Sequence, residues 1–131
     1  MEIKIILVGA SGRMGLEISE SINKFNKKNL KDKFELIAGI VSKSDPSNGS
    51  IVPGFVSPLG STFTESMKKA DVIIDFSSKA GTELALEFAK ENNIPIVIGT
   101  TGLDDDDEKK IVNISKSVSY THLTLPTTPY V

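Results

Sequence analysis

Apolar residues at the start of the chain form first a continuous run and then a helical pattern. Glu2 to Val8 is a short, nearly continuous β-branched and apolar run that ends at a glycine, which is typical of a parallel strand buried on both faces. The apolar residues that follow recur at helical spacing and predict one apolar helix face: Met14, Ile18, Ile22 and Phe25. The opening pattern therefore predicts a strand, a tight turn and a helix.

A second strand completes this first unit. The basic, polar stretch 26–33 is predicted to be a loop, and the segment Phe34 to Val41 is predicted to be a strand. Two parallel strands joined through a helix form a βαβ unit, whose crossover is expected to be right-handed. The next segment, 42–60, is rich in Ser, Pro and Gly and predicts an extended surface loop.

The second half of the chain repeats the alternation of strands and helices. Ser61 or Thr62 offers an N-cap, with Glu65 placed for a capping box, for a short helix that ends near Lys69. The further elements predicted are a strand Val72 to Phe76, a helix Ala80 to Asn92, a strand Ile96 to Ile98 and a helix Asp104 to Lys116. The pattern predicts an α/β fold with a Rossmann-like, doubly wound parallel sheet in a single, incomplete domain.

The C-terminal segment breaks this alternation. It carries threonines, two prolines, no charge and no amphipathic period. We therefore predict a dinucleotide-binding domain over residues 1–117, followed by an aberrant or disordered tail over 118–131 that is not part of it. An extended terminal arm is the alternative.

Composition and charge narrow the function classes. The chain has 131 residues and a formal net charge of −2, which is the size of one compact domain without the basic surface that nucleic acids require. No apolar run approaches the roughly 20 residues of a membrane span, and the first run is too short for a signal peptide, so a cytoplasmic location is expected. With no cysteine and only His122, neither a disulfide framework nor a metal site is predicted.

The strongest chemical signal is a glycine-rich turn between the first strand and the first helix. It reads Gly9-Ala10-Ser11-Gly12-Arg13-Met14-Gly15, a G-x-x-G-x-x-G variant of the dinucleotide fingerprint in the strand–helix context that the fingerprint requires. Gly9 would permit the sharp turn, Gly12 would let the backbone approach a pyrophosphate, and Gly15 would let helix and strand pack closely. The helix N-terminus favours the anion. A plain tight turn is the weaker alternative.

The residues after the second strand bear on which dinucleotide binds. NAD-binding units commonly place an acid there for the ribose 2′-hydroxyl, whereas this chain reads Val41-Ser42-Lys43. The hydroxyl of Ser42 and the ammonium of Lys43, with Arg13 nearby, could receive a 2′-phosphate. This favours NADPH, or use of both NADPH and NADH, although a solvated loop lysine explains Lys43 nearly as well.

Two further turns follow strands of the predicted sheet. Asp75-Phe76-Ser77 ends one strand and Gly99-Thr100-Thr101-Gly102 follows the next. Ligands of open α/β sheets bind at such carboxyl ends. Each turn taken singly fits an ordinary strand-to-helix connection, but together with the glycine-rich turn they fit a nicotinamide pocket better.

These motifs resemble the N-terminal domain of the 4-hydroxy-tetrahydrodipicolinate reductases, also called dihydrodipicolinate reductases. The resemblance rests on Gly9 to Gly15, on Asp75-Phe76-Ser77 with the following Gly81-Thr82, and on Ile98 to Gly102. It implies that the glycine-rich turn binds the pyrophosphate, that Gly99, Thr100 and Thr101 lie at the nicotinamide, and that Phe76 and Ser77 line the same pocket. It also implies reduction of a cyclic dicarboxylate with NADH or NADPH, in lysine and diaminopimelate biosynthesis, by a cytoplasmic homotetramer.

The chain lacks the rest of that family's pattern. The family's substrate domain, with its paired histidines and catalytic lysine, has no counterpart here, and His122 matches no family motif. We therefore predict no catalytic residue in this chain, and expect it to bind dinucleotide without turnover because the substrate's carboxylates have no receiving domain. A non-catalytic, dinucleotide-sensing Rossmann module is the alternative.

Overall fold

The elements follow the predicted alternation of strands and helices. The computed structural model describes residues 2–29, 31–100, 105–115 and 120–122. The elements are β1 (Glu2–Val8), α1 (Arg13–Lys28), β2 (Lys33–Ile40), a 3₁₀ helix (Glu65–Lys69), β3 (Val72–Asp75), α2 (Lys79–Asn92), β4 (Ile96–Ile98), α3 (Asp105–Ser115) and β5 (Tyr120–His122). None of the helices within those ranges is long and apolar enough to cross a membrane.

All five strands form one parallel sheet in the order β2-β1-β3-β4-β5. The chain passes from β1 outward to β2, and then crosses back to place β3 on the other side of β1. Strand order therefore reverses between β1 and β3, which is the switch point where open α/β sheets bind ligands. The predicted Rossmann-like fold class is confirmed.

The sheet is packed on both faces, as the apolar run of β1 predicted. Ile5 and Leu7 join one cluster with Ile22 of α1, whereas Ile6 and Val8 join the opposite cluster. The second cluster includes the buried residues of α2. Because successive side chains of a strand point to opposite faces, β1 is buried on both sides and brings its carboxyl end between the two helix layers.

The first helix is longer than predicted and less deeply buried. It continues to Lys28, although 26–33 was predicted to be a loop. Asn26 explains part of the difference, because its side-chain amide bonds both backbone groups of Phe34 and so ties the helix to the start of β2. Of the predicted apolar face only Ile22 is buried, while Met14 and Phe25 are 39% and 37% exposed.

The capping box predicted for residues 61–69 is wrong. The short helix begins at Glu65, is of the 3₁₀ type, and is preceded by Thr64, which makes no side-chain cap hydrogen bond. The segment is anchored instead by Phe63, whose ring stacks on Phe88 at a centroid distance of 4.6 Å. Aromatic packing from a distant helix therefore replaces local capping.

The loop 42–60 lies along the outer edge of β2. Val56 N–H donates to the Leu36 carbonyl at 2.9 Å, and Gly60 N–H donates to the Gly39 carbonyl at 3.0 Å. Bridges pair Leu36 with Phe55 and Ile40 with Gly60. The loop thus satisfies backbone groups that an edge strand would otherwise expose.

The predicted boundary at residue 117 falls just before β5. This strand pairs in parallel with β4, with Ile96 opposite Tyr120 and Ile98 opposite His122. Three residues of the predicted tail therefore have their backbone in the sheet. The rest of 118–131 lies outside the described residues, so the boundary stays a prediction.

Candidate functional site

Three turns meet at the carboxyl end of the sheet. Strand register places Val8 opposite Asp75 and Asp75 opposite Ile98, so β1, β3 and β4 end at the same level. Backbone hydrogen bonds continue past the strands, from Phe76 N–H to the Val8 carbonyl at 3.0 Å and from Gly99 N–H to the Asp75 carbonyl at 2.7 Å. The three motifs found in the sequence are therefore neighbours in space.

Two glycines of the first turn are required by close backbone contacts. Gly9 has a φ of +86°, and a Cβ there would lie 2.5 Å from the Phe76 carbonyl oxygen. A Cβ on Gly15 would lie 2.1 Å from the Gly9 carbonyl oxygen. Gly9 thus makes the sharp turn against the end of β3, and Gly15 lets α1 pack against the turn.

The third glycine leaves open space at the start of α1. A Cβ on Gly12 would meet only the Gly9 carbonyl oxygen, at 3.5 Å. The first helical hydrogen bond runs from Leu16 N–H to the Gly12 carbonyl, so the N–H groups of residues 13–15 have no acceptor within the helix. No side chain caps this end, and its first turn holds no acid. These donors and the helix dipole suit an anion such as a pyrophosphate.

An acid that the sequence analysis missed contacts this turn. Ser11 Oγ donates to Asp45 Oδ2 at 2.6 Å, and Asp45 Oδ1 accepts from the N–H and hydroxyl of Ser47 at 2.8 and 2.6 Å. The Ser11 hydroxyl, followed by the two groups of Ser47, lowers the pKa of Asp45. The sequence signal was the Asp45-Pro46-Ser47 turn, which lies beyond the positions where an acid was sought.

The basic and hydroxyl residues predicted to receive a 2′-phosphate are exposed. Ser42 and Lys43 follow β2 after Val41, and the Asp45 N–H donates to the Ser42 carbonyl at 3.0 Å. Arg13 is the first residue of α1. Both cations thus lie two positions along the chain from a residue of the Ser11–Asp45 contact.

The turns after β3 and β4 are joined by a buried cluster. The Asp75 side chain is fully buried and accepts hydrogen bonds from the hydroxyls of Ser77, Thr82 and Thr100. Ser77 N–H donates to both Asp75 Oδ1 and Thr100 Oγ1, each at 3.1 Å. Ser77 belongs to the same turn as Asp75, but Thr82 and Thr100 lie 7 and 25 positions further along the chain, so the sequence pattern did not indicate this cluster.

The ring of Phe76 packs closely against Gly99. A Cβ on Gly99 would lie 2.1 Å from Cε1 of the Phe76 ring, so the ring covers the glycine. The site residues Phe76, Ser77, Gly99 and Thr100 lie together at this end of the sheet. Thr101 lies outside the described residues.

The acidic first turn of α3 forms an ion pair with the neighbouring helix α2. Asp107, in the acidic first turn of α3, forms a 3.6 Å ion pair with Lys79 of α2, and its side chain is 6% exposed. Within residues 2–29, 31–100 and 105–113, no group of three or more His, Cys, Asp or Glu side chains could hold a metal ion.

Comparisons with known proteins show which family the chain belongs to. The family model described as "Dihydrodipicolinate reductase, N-terminus" matches residues 3–124. The 4-hydroxy-tetrahydrodipicolinate reductase of Clostridium novyi is 35% identical over 119 residues, which cover 91% of this chain and 42% of the relative. That of Campylobacter jejuni is 38% identical over 117 residues, covering 89% and 37%. The chain thus spans about two fifths of the length of these relatives.

Solved structures support the fold. A dipicolinate-bound dihydrodipicolinate reductase from Paenisporosarcina matches with a TM-score of 0.62 at 22% identity, over 88% of this chain and 43% of the other. A homoserine dehydrogenase from S. aureus matches with a TM-score of 0.64 at 17% identity, over 93% and 32%. At such identities the structures support the fold alone, whereas the family match supports membership. The chain belongs to the dihydrodipicolinate reductase family, of which it represents the N-terminal, dinucleotide-binding domain.

Proposed function

We propose that this chain is the cofactor-binding part of an NAD(P)H-dependent reductase that converts 4-hydroxy-tetrahydrodipicolinate to tetrahydrodipicolinate in lysine and diaminopimelate biosynthesis. The observation that carries the proposal is the meeting of the three turns at the switch point, with the uncapped N-terminus of α1 beside them. Family membership supplies the substrate class. The whole enzyme is proposed to be a cytoplasmic homotetramer.

Each part of the site has a proposed task. The turn from Gly9 to Gly15 holds the pyrophosphate, with Gly12 leaving room for its approach. Phe76, Ser77, Gly99, Thr100 and Thr101 surround the nicotinamide. When bound, the cofactor supplies a hydride from its nicotinamide ring to an electron-poor carbon of the substrate.

The chain positions the cofactor and supplies no catalytic residue of its own. The cyclic dicarboxylate substrate needs cationic or hydrogen-bonding groups for its two carboxylates, and we propose that these come from the part of the relatives that this chain does not span. The chain is then expected to bind dinucleotide without turnover.

The cofactor preference is proposed to be broad. Lys43 and Arg13 favour the 2′-phosphate of NADPH because opposite charges attract at the surface, and the Ser42 hydroxyl can donate a hydrogen bond to it. The ionised carboxylate of Asp45, held at the Ser11 hydroxyl, repels that phosphate and can accept from a ribose hydroxyl of NADH. With both influences present, we propose that NADPH and NADH both bind.

The test is a titration of the chain with NADPH and with NADH, followed by nicotinamide fluorescence and by thermal unfolding. Saturable binding is expected, with a gain of about 2.7 kcal/mol in the free energy of unfolding at a ligand concentration 100 times Kd. Failure of the folded chain to bind either dinucleotide would refute the cofactor-binding role. With substrate added, no oxidation of NADPH is expected; measurable turnover would show that the chain needs no second domain.

A further inference from the structure

We propose that Asp75 is a positioning residue for the nicotinamide half of the site. Through its hydrogen bonds it holds the turns after β3 and β4 in one arrangement, so affinity for the nicotinamide half depends on it and affinity for the adenosine half does not. This inference rests on the proposed cofactor-binding function.

The carboxylate of Asp75 has an unusual environment. The Asp75 side chain is 0% exposed. In the described part of the chain its partners are three hydroxyls and one backbone N–H, and no cation pairs with it. A buried carboxylate is costly unless it is well hydrogen-bonded, and an apolar cluster of the same volume would pack at lower electrostatic cost. The carboxylate therefore needs a reason beyond stability.

The hydroxyl partners of Asp75 belong to three different structural elements. Ser77 follows β3, Thr82 lies in the first turn of α2, and Thr100 follows β4. Thr100 Oγ1 lies 3.0 Å from Asp75 Oδ2 and 2.9 Å from Thr82 Oγ1. One carboxylate thus connects the turn after β3, the first turn of α2 and the turn after β4, of which only the last is distant in sequence. Each hydrogen bond restricts the direction of a turn.

The Asp75 cluster directly adjoins the residues proposed to surround the nicotinamide. Phe76 lies between Asp75 and Ser77, and its ring covers Gly99. A shift of the cluster would move the Phe76–Ser77 backbone and the Gly99–Thr100 backbone relative to each other. These are the residues that surround the proposed nicotinamide position.

The glycine-rich turn is hydrogen-bonded to a different strand. Gly9 N–H and Ala10 N–H both donate to the Ile40 carbonyl, at 2.8 and 3.2 Å. This carbonyl belongs to β2, on the side of β1 away from the Asp75 cluster. Gly9 also packs against the Phe76 carbonyl, but the turn donates these two hydrogen bonds to β2, so we expect the pyrophosphate and adenosine contacts to survive a change at Asp75.

The test compares whole and half ligands on Asp75→Asn. Asparagine keeps the size of the side chain but replaces one acceptor oxygen by a donor NH₂ group, so at least one hydroxyl loses its acceptor. We expect the affinity for NADH and NADPH to fall about tenfold, with a smaller change in nicotinamide fluorescence on binding. The affinities for ADP-ribose and 2′-phospho-ADP-ribose, measured by calorimetry, are expected to change less than about twofold.

Two further variants and a matched control complete this test. Thr82→Val removes only the hydroxyl of a residue that has no place among the proposed cofactor contacts, and it should reproduce the selective loss of dinucleotide affinity if Asp75→Asn does not fold. Thr82→Ser keeps the hydroxyl and should restore that affinity. The matched control is Asp71→Asn, since Asp71 is an exposed acid that accepts from Lys4 N–H at 2.7 Å at the opposite end of the sheet. It should change none of the affinities.

Each outcome decides the question. An equal loss of affinity for the dinucleotides and for the ADP-ribose ligands would mean that the cluster is only structural. Unchanged dinucleotide affinity in both Asp75→Asn and Thr82→Val would mean that the cluster is dispensable. Either result overturns the inference. If the unmodified chain binds no dinucleotide, the proposed function itself fails, and the inference fails with it. Failure of the proposed function can be distinguished from failure of the inference alone, because it is seen in the unmodified chain.

Discussion

The two halves of the candidate site are formed by different chemical groups. On the side of β2, backbone N–H groups and the end of α1 form the site, and the side chains around it, such as Lys43, are largely exposed. On the side of β4, buried side chains form it, around the carboxylate of Asp75. The first half depends on the absence of side chains at a few glycines, whereas the second depends on a connected set of hydrogen bonds.

The two halves of the site are therefore sensitive to different kinds of substitution. A backbone site suffers when a Cβ is added where another backbone lies, because backbone atoms cannot move aside. A side-chain network suffers when a single donor or acceptor is lost, because the remaining buried groups stay unsatisfied. Electrostatic changes among exposed groups should matter least, since water and salt screen them.

The largest effect is expected for Gly15→Ala. The added Cβ would lie 2.1 Å from the Gly9 carbonyl oxygen and 2.9 Å from backbone atoms of Ala10. We expect a loss of about 3 kcal/mol in the free energy of unfolding, with loss of dinucleotide binding. Urea unfolding measures the first and fluorescence titration the second.

Gly60→Ala is the matched control, because a Cβ there meets nothing within 4 Å. Its free energy of unfolding should stay within about 0.5 kcal/mol of the unmodified chain. Equal stability of the two variants would contradict the account of a backbone-built turn.

A smaller effect is expected for Gly99→Ala, because the clashing group is a side chain that can move. The new Cβ would meet the Phe76 ring at 2.1 Å, and we expect a cost of about 1.5 kcal/mol. Phe76→Leu in the same chain should relieve the clash, so the double variant should be more stable than the sum of the two single changes predicts, by about 1 kcal/mol. Urea unfolding of all four proteins checks this, and simple additivity would refute the contact.

The balance between the two cofactors should respond to the exposed charges near Ser11. Asp45→Asn removes a negative charge and should raise the ratio of NADPH affinity to NADH affinity about fivefold, and Lys43→Ala should lower it by a similar factor. Both ratios are measured by fluorescence titration at low salt and again at about 1 M salt, where screening should reduce the changes. If Asp45→Asn leaves the ratio unchanged at low salt, the acid does not face the adenosine ribose.

The smallest effect concerns acid stability. The hydroxyl of Ser11 and the groups of Ser47 lower the pKa of Asp45 in the folded chain. A lowered folded pKa contributes stability above the unfolded pKa of about 3.9, and this contribution is lost as the pH falls through the folded pKa. The difference in free energy of unfolding between the unmodified chain and Asp45→Asn should therefore be larger at pH 6 than near pH 2.5. A difference that grows toward low pH would have the wrong sign.

Much of the fold could be predicted from the local sequence pattern. The bounds predicted for β1 and β4 agree with the structure, the predicted start of α2 differs by one residue, and the described part of α3 lies within its predicted range. Their signals are periodicity, β-branched runs and glycines, which act between residues close in sequence. The glycine-rich turn was found for the same reason, because the backbone close to each glycine sets much of what it does.

Other features depend on contacts between distant parts of the chain. Asp45 meets Ser11 across 34 positions, and Thr100 meets Asp75 across 25. The backbone of β5 pairs with β4 although its sequence carried no strand pattern that we recognised. A pattern along the chain indicates which face of an element is apolar, but not which hydroxyl will lie beside which carboxylate; that is settled when the sheet brings its strand ends to one level.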